Sequence, residues 1–209
     1  MSLSATDLIG LMRQHQLRVF TTSDLATLAG LEISNTAHAL RRLGDKKIVV
    51  RIKRGLWVNQ LADNLNPFEA VPYLSAPWPS YVSLYSALAD HGVIEEIPQI
   101  IYAVSSDIPE RYRTAIGTFH FHYLPPRLIW GYEVKKVGTA LYPIADAEKA
   151  FLDLVYLALS ARSPLELPYK RGNKWKLNEK KIKEYKLRFK SPAIDDYLRR
   201  TDLIKTRNP

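Results

Sequence analysis

Two histidines have the spacing that a metal site would need. His120 and His122 lie two residues apart in FHFHY, residues 119–123, whose strict alternation predicts a strand with both imidazoles on one face. Imidazole is a common ligand of transition metals. The chain has no Cys, however, and no carboxylate close in sequence completes a ligand set. We therefore favour the polar outer face of a strand and expect neither a metal nor another cofactor.

A second group, Asp146-Ala147-Glu148-Lys149, is similar to the carboxylates and lysine of a metal-dependent nuclease. Such nucleases usually carry the last pair as Glu-x-Lys on a strand, whereas here the pair is adjacent and lies on a predicted helix. A helix cap at Asp146, followed by an acidic residue near the positive end of the helix dipole, explains the pattern better. The sequence also has no GxxxxGK[ST] or GxGxxG loop and no Gly-x-Ser-x-Gly elbow. We therefore predict that the chain is not an enzyme.

A third set of side chains suits contact with nucleic acid. Asparagine, arginine and threonine are residue types that read base edges or hold phosphates in the major groove. Such residues cluster on one predicted helix, and two cations follow on a predicted turn. We predict that the set binds double-stranded DNA, the operator of a gene. Its members are Ser34, Asn35, Thr36, His38, Arg41, Arg42, Lys53 and Arg54.

The helix that carries most of this set is the second of a predicted helix-turn-helix. Thr21 and Asp24 have the spacing of a capping box, and Gly30 predicts the end of the first helix. Ser34 is a favourable cap for the second helix, which Gly44 would end. The buried side of that helix is predicted to comprise Ala37, Leu40 and Leu43.

A predicted β-hairpin follows directly. Residues 48–52 and 56–58 have strand composition, and the Lys-Arg-Gly between them supplies two cations and the glycine that a tight turn favours. A basic hairpin tip beside a recognition helix is what a wing needs to contact phosphate. The order helix, turn, helix, hairpin predicts a winged helix-turn-helix domain over residues 1–60. The plainer alternative is a helical hairpin with a solvated surface.

The charge distribution agrees with a polyanionic partner. Residues 1–60 carry a net charge of +5, residues 61–165 of −4 and residues 166–209 of +8, for a total of +9. No run of eighteen apolar residues and no secretion signal is present, so we expect a cytoplasmic chain with no membrane partner. The oligomeric state and the operator sequence stay open.

The second part of the chain, 61–209, is predicted to be an α+β domain with a helical C-terminal end, so the fold class is α+β throughout. After a polar linker at 59–67, Tyr81, Leu84 and Tyr85 have the spacing of a helix that Ser80 could cap. Further strands are predicted at 100–104, 119–123, 132–137 and 140–142, and a long buried helix at 147–157.

The C-terminal end is strongly basic. Ten of the twenty-one residues 170–190 are Lys or Arg, against two Glu. Ile182, Tyr185 and Phe189 would anchor a helix here and turn the cations outward as one basic surface. Such a surface suits DNA beside an operator or an acidic protein, unless it is simply a soluble Lys-rich helix. The candidate partner-binding residues are Lys170, Arg171, Lys174, Trp175, Lys176, Lys180 and Lys183.

Several stretches occur in an order that is familiar from one family. They are VVRIKRGLWV, YVSLYSALADHGVIEEIP with IIYAVS, FHFHYLPPRLIWGYE and IADAEKAFLDL, all within residues 15–157. In this the chain resembles the AbiEi antitoxins of bacterial type IV toxin–antitoxin systems, which are linked to abortive phage infection. The resemblance implies a repressor of its own operon that also counteracts a nucleotidyltransferase-like toxin through its second domain. It favours that toxin as the partner of the basic tail, although the tail matches no motif of the family.

The sequence therefore predicts a DNA-binding transcriptional regulator, an autorepressor with an antitoxin role in antiviral defence. Two alternatives from other classes stay open. One is a nuclease or nucleotidyltransferase that a winged helix directs to its target. The other is a pure protein-interaction module, since winged helices also bind proteins.

Overall fold

The computed structural model describes residues 4–161, 163–166, 175–201 and 204–206 of the 209-residue chain. Its elements mix helices and strands throughout, which confirms the α+β class. Within the described residues, no helix is both long enough and apolar enough to cross a membrane.

The N-terminal unit consists of three helices and a three-stranded sheet. The helices are α1 (Ala5–Gln14), α2 (Thr22–Ala29) and α3 (Ile33–Asp45), and the strands are β1 (Val19–Thr21), β2 (Val49–Lys53) and β3 (Leu56–Asn59). The sheet order is β1-β3-β2, with both pairs antiparallel. The predicted caps of α2 are confirmed, because Thr21 and Asp24 exchange both bonds of a capping box and Gly30 takes a left-handed φ of 62°.

Helix α3 differs from its prediction in phase and in both ends. It begins at Ile33, ahead of the predicted cap Ser34, and it continues past Gly44 to Asp45. Its buried residues are Thr36, Ala39, Leu40 and Leu43, which confirms the predicted inner positions Leu40 and Leu43, while Ala37 is only half-buried. A threonine can occupy the inner face because its hydroxyl donates to the carbonyl of Glu32 at 3.0 Å, which satisfies the polar atom inside the helix.

The second unit is built on a six-stranded mixed sheet in the order β6-β7-β5-β4-β9-β8. The pairs β5–β7 and β4–β9 are parallel, and the other pairs are antiparallel. The strands are β4 (Ser80–Val82), β5 (Ile100–Ser105), β6 (Glu110–Thr114), β7 (Gly117–Tyr123), β8 (Tyr132–Val137) and β9 (Ala140–Ala145).

Helices surround this sheet. They are α4 (Val71–Leu74), α5 (Leu84–Asp90), α6 (Ala147–Ala158), α7 (Glu179–Phe189) and α8 (Pro192–Thr201), with 3-10 turns at Pro67–Ala70 and Pro126–Leu128. A short parallel pair, β10 (Trp175–Leu177) and β11 (Ile204–Thr206), completes the described residues. The predicted caps of α6 and α7 are confirmed: the side chains of Asp146 and Asn178 accept bonds from the backbone N–H groups three residues ahead.

The helix predicted to begin near Ser80 was wrong at its start. Ser80 and Tyr81 belong to β4, where Tyr81 pairs with Val104 of β5, and α5 begins only at Leu84. Helical spacing in the sequence was therefore overridden by pairing between strands that lie some twenty residues apart.

The two units share apolar packing. One cluster lies within the N-terminal unit between its helices and its sheet, and includes Phe20, Leu40 and Trp57. The other cluster runs through the large sheet and its helices, yet it also contains Val19, Ile52, Leu56 and Val58 of the N-terminal sheet. That small sheet is therefore buried on both sides, and apolar packing crosses the predicted boundary at residue 60.

A single arginine binds several segments of the second unit to the N-terminal one. The guanidinium of Arg18 donates two bonds to the Glu69 carboxylate, at 2.6 and 3.0 Å. Its remaining N–H groups donate to the carbonyls of Asp63 and Asn64 and to the hydroxyl of Thr139, at 2.9 to 3.0 Å. All five donors of the guanidinium are thus used. The pair of Arg18 and Glu69 is largely buried, with 11% and 6% of the side chains exposed.

Candidate nucleic-acid interface

One side of α3 is a continuous polar surface. Ser34, Asn35, His38, Arg41 and Arg42 are all exposed, and their spacing places them along one stripe of the helix. The opposite side packs into the N-terminal core through α2 and β2. Within the described part of the chain, none of these five side chains has a hydrogen-bond or ion-pair partner. Their donors and charges are therefore available to a ligand.

Thr36 does not belong to this surface. Its side chain is fully buried, and its hydroxyl is bonded to the backbone of the preceding turn. The candidate DNA contact at this position was wrong, because the helix is rotated relative to the predicted inner face. Ile33, the first residue of α3, is exposed, with 59% of its surface accessible.

The hairpin is fixed beside the start of α2. Gly55 takes a φ of 75° in the two-residue turn, a conformation that glycine adopts without strain. Its carbonyl accepts a bond from the N–H of Thr22 at 2.8 Å. The indole of the buried Trp57 donates to the hydroxyl of the same threonine at 2.9 Å. Arg54 is exposed at the tip of this fixed hairpin, as the sequence predicts.

Lys53 is already occupied within the chain. Its ammonium donates to the carbonyl of Leu74 and to the hydroxyl of Tyr112, both at 3.0 Å, and it lies 4.9 Å from the centre of the Tyr112 ring. The strand ladder shifts register between Arg51 and Lys53, an irregularity of the kind that re-aims side chains. The prediction that Lys53 holds a phosphate is therefore corrected to a contact between the two units.

The sequence analysis left three other exposed cations of the N-terminal unit unassigned. Arg51 is exposed on β2, and Lys46 and Lys47 are exposed in the turn that follows α3. Within the described residues none of the three has an ion-pair partner. Lys46 and Lys47 are adjacent in the sequence directly after Asp45, so this local pair of cations could have been identified from the sequence alone. Apart from Lys53, the exposed cations of α3, of the turn after it and of the β2–β3 hairpin are Arg41, Arg42, Lys46, Lys47, Arg51 and Arg54.

The described residues of the basic tail are partly buried and partly exposed. Trp175 is buried against Phe151, with ring centres 5.2 Å apart, so this candidate partner-binding residue is a core residue. Lys176, Lys180 and Lys183 are exposed as predicted. Lys170, Arg171 and Lys174 lie outside the described residues.

Most cations of helix α7 are paired inside the chain. The pairs are Lys181 with Asp146 and Glu148, Lys183 with Glu179, and Lys186 with Asp195. The guanidinium of Arg188 lies 3.8 Å from the centre of the Trp130 ring. The anchoring of the helix by Ile182 and Phe189 is confirmed, since both are buried. Three cations of the helix are therefore neutralised by carboxylates, whereas Lys180 is exposed without an ion-pair partner among the described residues.

The two histidines lie on one face of β7, as predicted, but among aromatic rings. The Tyr102 ring on β5 contacts both, at 5.9 Å from His120 and 6.0 Å from His122. Burial lowers the pKa of His122 to about 4, and His120 and Arg111 act in the same direction. Burial and two nearby arginines also lower the pKa of His120. Among the described residues there is no group of three or more potential metal ligands from His, Asp and Glu.

Helix α6 separates Lys149 of the Asp146–Lys149 group from the two carboxylates. Asp146 caps α6 and accepts a bond from the Tyr185 hydroxyl at 3.0 Å, while Glu148 accepts one from the backbone N–H of Asn178 at 2.9 Å. Lys149 points the other way, into the core. The two carboxylates therefore meet at Lys181, and Lys149 does not join them.

Lys149 ends in a fully buried polar cluster that the sequence did not reveal. Its ammonium forms an ion pair with Asp153 and donates to the Tyr81 hydroxyl at 2.7 Å. Asp153 also accepts bonds from Tyr81 and Ser83, at 3.1 and 2.9 Å. Burial lowers the pKa of Lys149 and raises that of Asp153, against their mutual attraction. Both side chains have no exposed surface, so the cluster offers no access to a substrate.

Comparison with known proteins adds no assignment to this geometry. No protein-family model matches the chain, and no curated protein is significantly similar to it.

Proposed function

We propose that the N-terminal unit is a winged helix that binds double-stranded DNA, and that the chain is a transcriptional regulator. The observation that carries the proposal is the polar stripe of α3, whose five side chains have no partner within the described residues. The element order α1, β1, α2, α3 and the β2–β3 hairpin supports it, because this is the order of a winged helix-turn-helix.

The roles of the residues follow from their chemistry. Asn35 and Arg41 lie on the exposed stripe of α3 and have the side chains that form bidentate bonds with adenine and guanine. Arg54 at the hairpin tip and Arg51 on β2 are cations suited to phosphate. Since the hairpin is bonded to α2, helix and wing would meet the duplex without prior rearrangement.

The wider role rests on the resemblance to AbiEi antitoxins. Repression of its own operon and counteraction of a nucleotidyltransferase-like toxin follow from that resemblance, and both stay predictions. A nucleotidyltransferase-like open reading frame beside the gene would support the second.

Binding of the full chain to DNA from its own promoter tests the proposal. In fluorescence anisotropy at several salt concentrations, replacing Arg54 with Ala should weaken operator and random duplex alike and reduce the salt slope by about 1. Replacing Asn35 or Arg41 with Ala should cost about 1–3 kcal/mol on the operator alone.

The matched control removes a cation elsewhere. Lys136→Ala, exposed on strand β8, should leave both affinity and salt slope unchanged. Equal losses for the α3 variants on operator and random DNA would contradict the assignment of α3 as the reading helix. No binding by the wild-type chain at low salt would contradict the proposal as a whole.

A further inference from the structure

A second surface of the molecule combines aromatic rings with free cations. On strands β5, β7 and β6, the residues Tyr102, His120 and Arg111 are neighbours across the sheet and share one face. The next pair on the same face, two residues further along both strands, is Val104 with His122. Arg113 continues it at the other end, opposite Thr118. We call Tyr102, His120, His122, Arg111 and Arg113 the aromatic–arginine face.

This face lies away from the N-terminal unit. Tyr112, which holds Lys53, alternates with the two arginines along β6 and therefore points to the opposite side of the sheet. On the side of the aromatic–arginine face, α5 packs over β5, and its Tyr85 ring contacts the edge of Tyr102 at 5.4 Å. Arg111 and Arg113 remain exposed, and the two histidines and Tyr102 are partly exposed.

The rings present flat apolar surface rather than charge. Burial lowers the pKa of both imidazoles and so favours their neutral form. Nε2 of His122 is buried without a hydrogen-bond partner among the described residues, so stacking on Tyr102 holds the ring in place. Neutral rings fixed in this way are suited to stacking against another planar group.

The cations have no internal counterion. Within the described residues neither Arg111 nor Arg113 has an ion-pair partner. Glu110, the one carboxylate on these three strands, stands opposite Phe121 on the other face and accepts a bond from Tyr112. The aromatic–arginine face therefore has a net positive charge beside its rings.

We propose that the aromatic–arginine face binds single-stranded nucleic acid, with bases stacked on Tyr102 and His120 and phosphates held by Arg111 and Arg113. The unstacked bases of a single strand can stack on aromatic side chains, whereas the bases of a duplex are already stacked on one another. An acidic peptide would use the arginines but would gain little from the rings. The site is separate from the duplex-binding surface of α3 and does not depend on it.

The test measures binding of the full chain to labelled RNA, single-stranded DNA of the same sequence, and the corresponding duplex. Arg111→Gln/Arg113→Gln should lower single-strand affinity at least about tenfold and reduce the salt slope by about 1.4. His120→Ala should lower it at least about fivefold. Tyr102→Leu should also lower single-strand affinity at least about fivefold. If Tyr102→Leu unfolds the chain, His120→Ala still tests the role of the rings.

Two comparisons separate this proposal from the winged-helix one. The arginine variant should bind duplex DNA like the wild type, and Arg41→Ala should bind single strands like the wild type. The matched control, Arg13→Gln/Lys136→Gln, removes two exposed cations elsewhere and should leave single-strand binding unchanged. A preference for RNA over DNA would point to contacts with the 2′-hydroxyl.

Three results would overturn the proposal. The first is no single-strand binding by the wild-type chain at low salt. The second is an equal loss in the control variant, which would mean diffuse electrostatics. The third is a combination of two observations: an acidic peptide such as polyglutamate competes for binding only when the two arginines are present, and His120→Ala does not change single-strand affinity.

Discussion

Replacing Arg18 with Ala should be among the most damaging single changes at the junction of the two units. The substitution removes all five hydrogen bonds of the guanidinium. It also leaves the Glu69 carboxylate, with 6% of its side chain exposed, without its cation. The carboxylate keeps only the bond from the backbone N–H of Asn66 at 2.9 Å.

The expected magnitude comes mainly from the carboxylate. Breaking a buried ion pair by removing one partner costs about 3–5 kcal/mol, since the remaining charge is left desolvated. The freed carbonyls of Asp63 and Asn64 add less, because they line an 820 Å³ cleft that water can enter. For a chain of this size the loss corresponds to a fall in Tm of about 6–20 °C.

Equilibrium unfolding in urea and calorimetry measure this effect. Arg18→Lys should lie between the wild type and Arg18→Ala, because an ammonium keeps the charge but cannot form the bidentate pair. Arg13→Ala is the matched control: Arg13 is exposed in the same cleft, without a partner in the described residues, and its loss should change stability by less than about 0.5 kcal/mol. A cost below about 1 kcal/mol for Arg18→Ala would refute the reasoning.

Three further outcomes are expected. Lys53→Met should lower stability by about 1–2 kcal/mol through the lost bond to Tyr112, and should leave the salt slope of DNA binding unchanged, which anisotropy can check. The lowered pKa of His122, about 4, means that the unfolded chain binds more protons below pH 6.5; stability should therefore fall as pH decreases from 6.5 towards 4. By pH 5 urea unfolding should show a loss on the order of 1 kcal/mol that His122→Gln removes, after a discount for partial exposure. Lys149→Ala should cost about 3–5 kcal/mol in the same assay, whereas Lys149→Met/Asp153→Leu should cost far less because no buried charge is left unpaired.

Features set by a few neighbouring residues could be predicted from the sequence. The capping box of Thr21 and Asp24, the left-handed Gly30 and the cap at Asp146 all depend on contacts within three or four residues. The same is true of the exposed stripe of α3 in its main part, since Asn35 and Arg41 have no place in an apolar core. Local chemistry was sufficient for these.

The errors occur where distant segments meet. Thr36 is buried because its hydroxyl finds a partner one turn earlier, which no hydrophobicity pattern encodes. Lys53 is bound by Leu74 and Tyr112, and Trp175 is covered by Phe151, and these contacts span more than twenty residues of sequence. A sequence does not distinguish a cation that is bound inside the chain from one that is free. The sequence could therefore indicate the region of the candidate site, but not which of its cations are available to a ligand.

The double-sided burial of the small N-terminal sheet limits how this protein can be re-engineered. A domain whose sheet is covered on one side only can be transferred to another protein intact, but excision of this N-terminal unit would expose Val19, Ile52, Leu56 and Val58. A chimera with another N-terminal unit would need a sheet whose second face is complementary to the large unit, as well as a matching linker. Under the proposed function, substituting the exposed side chains of α3 in place is the simpler route to a new specificity, because those side chains have no hydrogen-bond or ion-pair partner within the described residues.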